Sequence, residues 1–146
     1  QKFLVFRIPI IHGYGELQDV SVIDKAIQSL KDGKSFSLYN NIFRSYIYYK
    51  DLLNFTRNLL LVKDTNINGI FNIGTGVAVT IKEIIEQLCI AMNKPISQIE
   101  IIEEKGTAGD PFSNVADITQ IKKILDLKPK YGLERGLKEL VAKRRN

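Results

Sequence analysis

The feature that most constrains this chain is an alternation. Short β-forming runs and amphipathic helical stretches take turns along its length, a pattern that leads to a mixed α/β fold. "KFLVFRI" is a nearly continuous apolar run and reads as a strand buried on both faces. Pro9 and "HGYGE" end it. In "SVIDKAIQSLKDG", Val22, Ile23, Ala26, Ile27 and Leu30 fall on one helical face, Ser21 and Asp24 form a capping box, and Gly33 stands at the C′ position. "SFSLYN" alternates Phe36 and Leu38 against serines, as a half-exposed strand does. "RSYIYY" reads as strand and "KDLLNFTRNLLLV" as helix, with Leu52, Leu53, Phe55, Leu59 and Leu60 as core. After the strand and turn of "GIFNIGTG" comes the most regular helix, "TIKEIIEQLCIAMN". There Ile81, Ile84, Ile85, Leu88, Cys89 and Met92 recur at helical spacing, Thr80 and Glu83 cap the start, and Pro95 bars continuation. "QIEIIEE" is a short strand, "DITQIKKILDL" a helix capped by Asp117, and "GLERGLKELVAKRR" a final amphipathic helix.

At 146 residues, 1–146 is expected to be a single domain-sized unit. No apolar run approaches the roughly 20 residues that span a bilayer. The single cysteine, Cys89, lies on an apolar helix face, excludes an internal disulfide and suits a reducing, cytoplasmic setting. The net charge of +5 permits an anionic partner. Much of the excess lies in Lys143, Arg144 and Arg145, which read as a solvated tail at the negative end of a helix. Bases and aromatics are not interleaved as a single-strand nucleic-acid platform requires, so nucleic acid is an unlikely partner. The chain enters a strand directly after Gln1 and looks like a piece of something longer. A half-sheet edge left open in such a piece would favour a homo-oligomer.

The motifs are few. Tyr46 and Lys50 have the Tyr-x-x-x-Lys spacing of a proton-transfer pair. On a helix that spacing brings the residues within about 6 Å along one face, whereas on a strand they stand about 13 Å apart. The density of Tyr and Ile favours strand, so the match reads as accidental. Gly74 and Gly76 give G-x-G, but Val79 occupies the third glycine position, and a strand-to-helix turn capped by Thr80 is the plainer reading. His12 is the only histidine and has no ligand set around it, so it reads as structural. "KGTAGDP", with Gly106, Gly109 and Asp110, reads as a turn-rich loop. Arg44, before an aromatic strand, could extend a guanidinium toward a phosphate, although the residues alone favour an ordinary surface arginine.

In this order the pieces resemble the C-terminal half of the extended short-chain dehydrogenase/reductase family, the NAD-dependent nucleotide-sugar epimerases and dehydratases. "FRIPIIHGYGE" is similar to the family's Arg-…-Tyr-Gly-Pro-Gly loop: Arg7, Gly13 and Gly15 match, with His12 for the tyrosine and Tyr14 for the proline. "FRSYIYYKDLL" resembles Arg-Asp-Tyr-Ile-His/Tyr-Val-x-Asp-Leu, with Arg44, Tyr46, Ile47, Tyr48, Asp51 and Leu52 in place. "GIFNIGTGVAVTIKEI" and "GDPFSNVADITQIKKILDL" match the remaining segments. The resemblance covers essentially the whole chain.

It implies part of a Rossmann-like, doubly wound sheet plus a small substrate-binding α/β subdomain, the N-terminal cofactor half being absent. It also implies a pocket for a UDP- or dTDP-sugar. There Tyr39 would pack near the base, Arg44 would hold the diphosphate, Tyr46 would line the pocket, and Asp110 would contact the ribose. Thr107 stands where the family often has a second arginine, unless Lys105 replaces it, and Ser45 replaces an aspartate. NAD(P) would serve the parent enzyme. The family's cofactor loop, catalytic serine or threonine and Tyr-x-x-x-Lys helix all belong to the other half. The chain alone is therefore expected to bind no NAD and to be inactive. The alternative is a non-catalytic binding or interaction module that retains the fold.

Overall fold

Two helices begin where the sequence caps them. In the computed structural model, which describes residues 3–15, 21–39, 41–62, 67–105, 109, 111–125 and 128–144, the Ser21 hydroxyl accepts from the Asp24 N–H and the Asp24 carboxylate from the Ser21 N–H. Thr80 and Glu83 repeat the arrangement. Between and around these helices the described elements run in chain order. They are β1 (Leu4–Arg7), β2 (Ile10–His12), α1 (Val22–Asp32), β3 (Phe36–Tyr39), β4 (Phe43–Arg44), β5 (Tyr46–Tyr48), α2 (Tyr49–Leu60), β6 (Gly69–Asn72), β7 (Val79–Thr80), α3 (Ile81–Met92), β8 (Ile101–Glu104), β9 (Ser113–Asn114), α4 (Thr119–Lys122) and α5 (Gly132–Lys143).

The strands form short sheets: parallel pairs β1–β6, β2–β5 and β3–β8, and a three-stranded group in which β4 is antiparallel to β7 and parallel to β9. This is an α/β fold with the parallel pairings of part of a Rossmann-like architecture. β5 divides two hydrophobic cores. Successive strand residues face opposite ways, so Tyr46 enters the core formed by α1, α3 and α5. Ile47 enters the other, with Phe55, Ile73, Ile121 and Leu125. That is why all three β5 residues are buried. Cys89 packs in the first core.

Four expectations need correction. β1 is a strand but is not covered on both faces. Phe6 and its register partner Phe71 pack against the second core, while Val5 and its partner Ile70 are 45% and 48% exposed. A continuous apolar run does not distinguish a strand covered twice from one covered once. In α2, Phe55 is buried, but Leu53 and Leu60 are 61% and 80% exposed, because the helix presents only one stripe to the core. The helix after Asp117 is one turn, Thr119–Lys122, with Ile118 at its N-cap. Asp117 instead accepts from the Thr119 N–H and hydroxyl at 2.9 and 2.6 Å, closing the turn just before it. Finally, Arg144 is not in a solvated tail; it is buried against Asp24 of α1 at 2.6 Å. Lys143 does face outward, over the Tyr14 ring, and Arg145 lies outside the described residues.

Candidate functional site

The carboxyl ends of parallel strands are where α/β folds leave room for ligands, and β3 and β8 end together, with Tyr39 in register with Glu104. A cleft of about 330 Å³ opens there, lined by Tyr39, Arg44, Tyr46, Glu104 and aliphatic residues that include Ile10 and Ile81. The structure thus brings together Tyr39, Arg44 and Tyr46. Asp110 and Thr107 lie outside the described residues, and Lys105 is exposed and is not among the lining residues.

Arg44 is held from both sides. β4 is the central strand of its sheet, with Arg44 opposite Val79 of β7 and Asn114 of β9. Its Nη1 donates to the carbonyls of Phe43 and Pro111, each at 2.9 Å. Those bonds orient the guanidinium and leave its other N–H groups for an anion. Tyr46 is buried, and desolvation pushes its phenol up to about 12, only partly opposed by the Arg44 charge. It is therefore a neutral hydrogen-bonding group near neutral pH. Arg44 also borders a second, more polar cavity of about 310 Å³ shared with Ile8, Pro9, Ser45 and Asn114. The buried Ser45 hydroxyl has no partner there among the described residues.

Tyr46 and Lys50 are not a pair. Tyr46 belongs to β5, whereas Lys50 lies in the first turn of α2 and its Nζ reaches Glu139 of α5 at 2.5 Å. The same carboxylate oxygen accepts from the Tyr48 hydroxyl at 2.8 Å. The Lys50 hydrogen bond, then that of Tyr48, holds the Glu139 carboxyl below its ordinary value. Lys50 is thus a structural cation clamping β5 and α2 to α5.

The glycine turn after β6 packs inward. A Cβ on Gly74 would lie 3.1 Å from Pro9, and one on Gly76, at φ +70°, 3.0 Å from Ile118. The Glu83 carboxylate already takes the Thr80 N–H at 2.7 Å at the start of α3. A carboxylate there repels a pyrophosphate, so this turn does not fit a dinucleotide.

His12 is buried against the Tyr48 ring, its Nδ1 without a partner among the described residues. Desolvation pulls its pKa from 6.5 down to about 4, with Asp51 opposing. The unfolded chain therefore binds more protons than the folded one between those values, and stability falls as pH drops through that window. We expect a loss of about 2 kcal/mol between pH 7.5 and pH 5 from this residue, following the linkage relation and the shift to about 4. Urea titrations across that range check it, because His12→Phe should flatten the slope.

Sequence reasoning missed Glu104, Ile10 and Asn114 as lining residues. Their position depends on which strands pair and in which register, and no local pattern carries that.

Comparison with known proteins then places the fold. Over 123 residues the chain is 29% identical to the low-salt glycan biosynthesis protein Agl12 of Haloferax volcanii, a match covering 82% of this chain and 38% of that protein. It is similar to a UDP-glucose 4-epimerase of Thermotoga maritima solved with UDP-glucose, at 27% identity and a TM-score of 0.75, covering 99% of this chain and 46% of that one. Its structural neighbours are NAD-dependent nucleotide-sugar epimerases and dehydratases, extended short-chain dehydrogenase/reductases. In a third case, the UDP-glucuronic acid 4-epimerase of Bacillus cereus solved with UDP-glucuronic acid and NAD, the TM-score is 0.80 at 21% identity, over 98% of this chain and 46% of that one. At that identity the likeness speaks for the fold alone. The chain spans about half the length of these solved structures, and no family model matches it. Among the described residues no helix is long and apolar enough to cross a membrane.

Proposed function

We propose that this chain is the nucleotide-sugar-binding part of an NAD-dependent epimerase or dehydratase, acting in the cytoplasm and inactive alone. The observation that carries it is the convergence of Tyr39, Arg44 and Tyr46 on one cleft. In this reading Tyr39 stacks on the base, Arg44 grips the diphosphate, and the neutral Tyr46 phenol donates to the ligand. Asp110 receives the ribose. The hydride chemistry belongs to NAD, held by a part of the protein other than these residues, and this part fixes the nucleotide so that the sugar presents its reacting carbon. Calorimetry of the chain with UDP-glucose and with UDP tests the reading. Arg44→Ala should weaken binding about 10- to 100-fold, the weight of a charge-assisted pair. No nucleotide binding by the unaltered chain would defeat it.

The bare Val5–Ile70 face favours a second reading, an interaction module that keeps the fold without the chemistry. Sedimentation separates the two. In the second reading the chain associates with itself or with another protein through this face, Val5→Lys abolishes association, and nucleotide has no effect on it.

A further inference from the structure

We infer that Glu104 determines specificity at the nucleoside end of the cleft, accepting two hydrogen bonds from adjacent donors on the ligand; this rests on the nucleotide reading above. The register of β3 and β8 places Glu104 directly beside Tyr39. Neighbouring strands lie about 4.8 Å apart and paired residues share a face, so a group stacked on the phenol ring meets the carboxylate at its edge. The other charge of the cleft is Arg44, and no ion pair joins the two among the described residues. Apart from Ser37 and Tyr46, the walls around them are aliphatic: Ile10, Val22, Leu38, Ile42 and Ile81. A carboxylate with no ion-pair partner among the described residues disfavours ligand groups that offer it only lone pairs. A ligand suits the cleft when its anion reaches Arg44 and its other end offers N–H or O–H groups.

Two nucleoside groups carry such a donor pair: the N1–H and N2–H₂ edge of guanine and the vicinal diol of ribose. Uracil and thymine offer a single N3–H between two carbonyl oxygens, which a carboxylate repels. The comparison of UDP, dTDP and GDP therefore separates the sources. If the ribose diol is read, UDP binds more tightly than dTDP, which lacks the 2′-hydroxyl. If the base edge is read, GDP binds more tightly than UDP.

Calorimetry of the 146-residue chain with these three nucleotides, for the unaltered protein, Glu104→Gln and Arg44→Ala, tests the inference. The expected result is a preference of about tenfold for the donor-bearing nucleotide, the usual weight of hydrogen bonds to a charged group. Glu104→Gln should collapse that preference while binding through Arg44 persists. Glu104 is exposed at a strand end, so the glutamine variant keeps the fold, which circular dichroism verifies. Equal affinities in the unaltered chain, or ratios unchanged by Glu104→Gln while Arg44→Ala still weakens binding, overturn this inference and leave the nucleotide reading standing. Uniformly tighter binding of all three by Glu104→Gln also overturns it, since the acid would then only repel phosphate. If the unaltered chain binds none of them, both fall.

Discussion

Asp51→Ala should cost about 4 kcal/mol, a quarter or more of the 5–15 kcal/mol that holds a domain of this size together. Asp51 is fully buried, at 0% exposure, in the first turn of α2. Its partners belong to the far end of the chain. Oδ1 accepts from the N–H groups of Lys130 and Tyr131 at 2.7 and 3.0 Å, and Oδ2 from that of Gly132 at 2.9 Å. The last two are orphan donors at the start of α5, whose own N-cap residue, Tyr131, supplies no side-chain cap. A carboxylate at that position also meets the positive end of the helix. Alanine would leave three backbone N–H groups without partners, at about 1–3 kcal/mol each before relaxation. Asparagine keeps one oxygen and should lose roughly half as much. α5 itself leaves no slack nearby, since a Cβ on Gly136 would lie 2.7 Å from His12 and 2.8 Å from Tyr48. Urea denaturation with far-ultraviolet circular dichroism measures the effect. A loss in Asp51→Ala below about 1 kcal/mol would mean that water replaces the carboxylate.

The contrast between α3 and this contact explains what can be read from the chain before folding. The α3 helix starts at Thr80 and ends at Asn93 because residues within four positions of each other cap it and line its apolar face. All of that is local. Asp51 stands in the sequence as one more acid in an amphipathic helix, and its role exists only once residues 79 to 81 positions away return to it. β1 was readable as a strand from composition, but which face is covered depends on β6 and the second core. The site divides in the same way. Tyr39, Arg44 and Tyr46 could be assembled in advance through the ordered family resemblance, since residue spacing alone left Arg44 as a surface cation. Glu104 was absent from that set because the pairing of β3 with β8 has no local sequence signal.

Arg144→Ala should cost about 3 kcal/mol, the usual penalty for removing one partner of a buried pair. Its guanidinium and the Asp24 carboxylate meet at 2.6 Å with side chains only 7% and 9% exposed. The same carboxylate closes the capping box of α1 through the Ser21 N–H. One acid thus starts α1 and fastens the end of α5 to it, and the Arg144 carbonyl accepts from Lys31 at 3.4 Å. Asp24→Ala should therefore cost more than Arg144→Ala, by about the 1 kcal/mol of a lost cap, and it leaves a buried cation. The Asp24→Ala/Arg144→Ala double variant should lose less than the sum, with a coupling of about 2 kcal/mol. Salt separates this arrangement from a solvated basic tail. A surface arginine at a helix C-terminus contributes about 0.3–1 kcal/mol, and salt screens it. A desolvated pair is little affected by a Debye length of about 3 Å at 1 M. Denaturation midpoints for Arg144→Ala and the unaltered chain, at low salt and near 1 M, give the answer. A gap that persists at high salt belongs to a buried clamp, and one that closes would return Arg144 to the solvent.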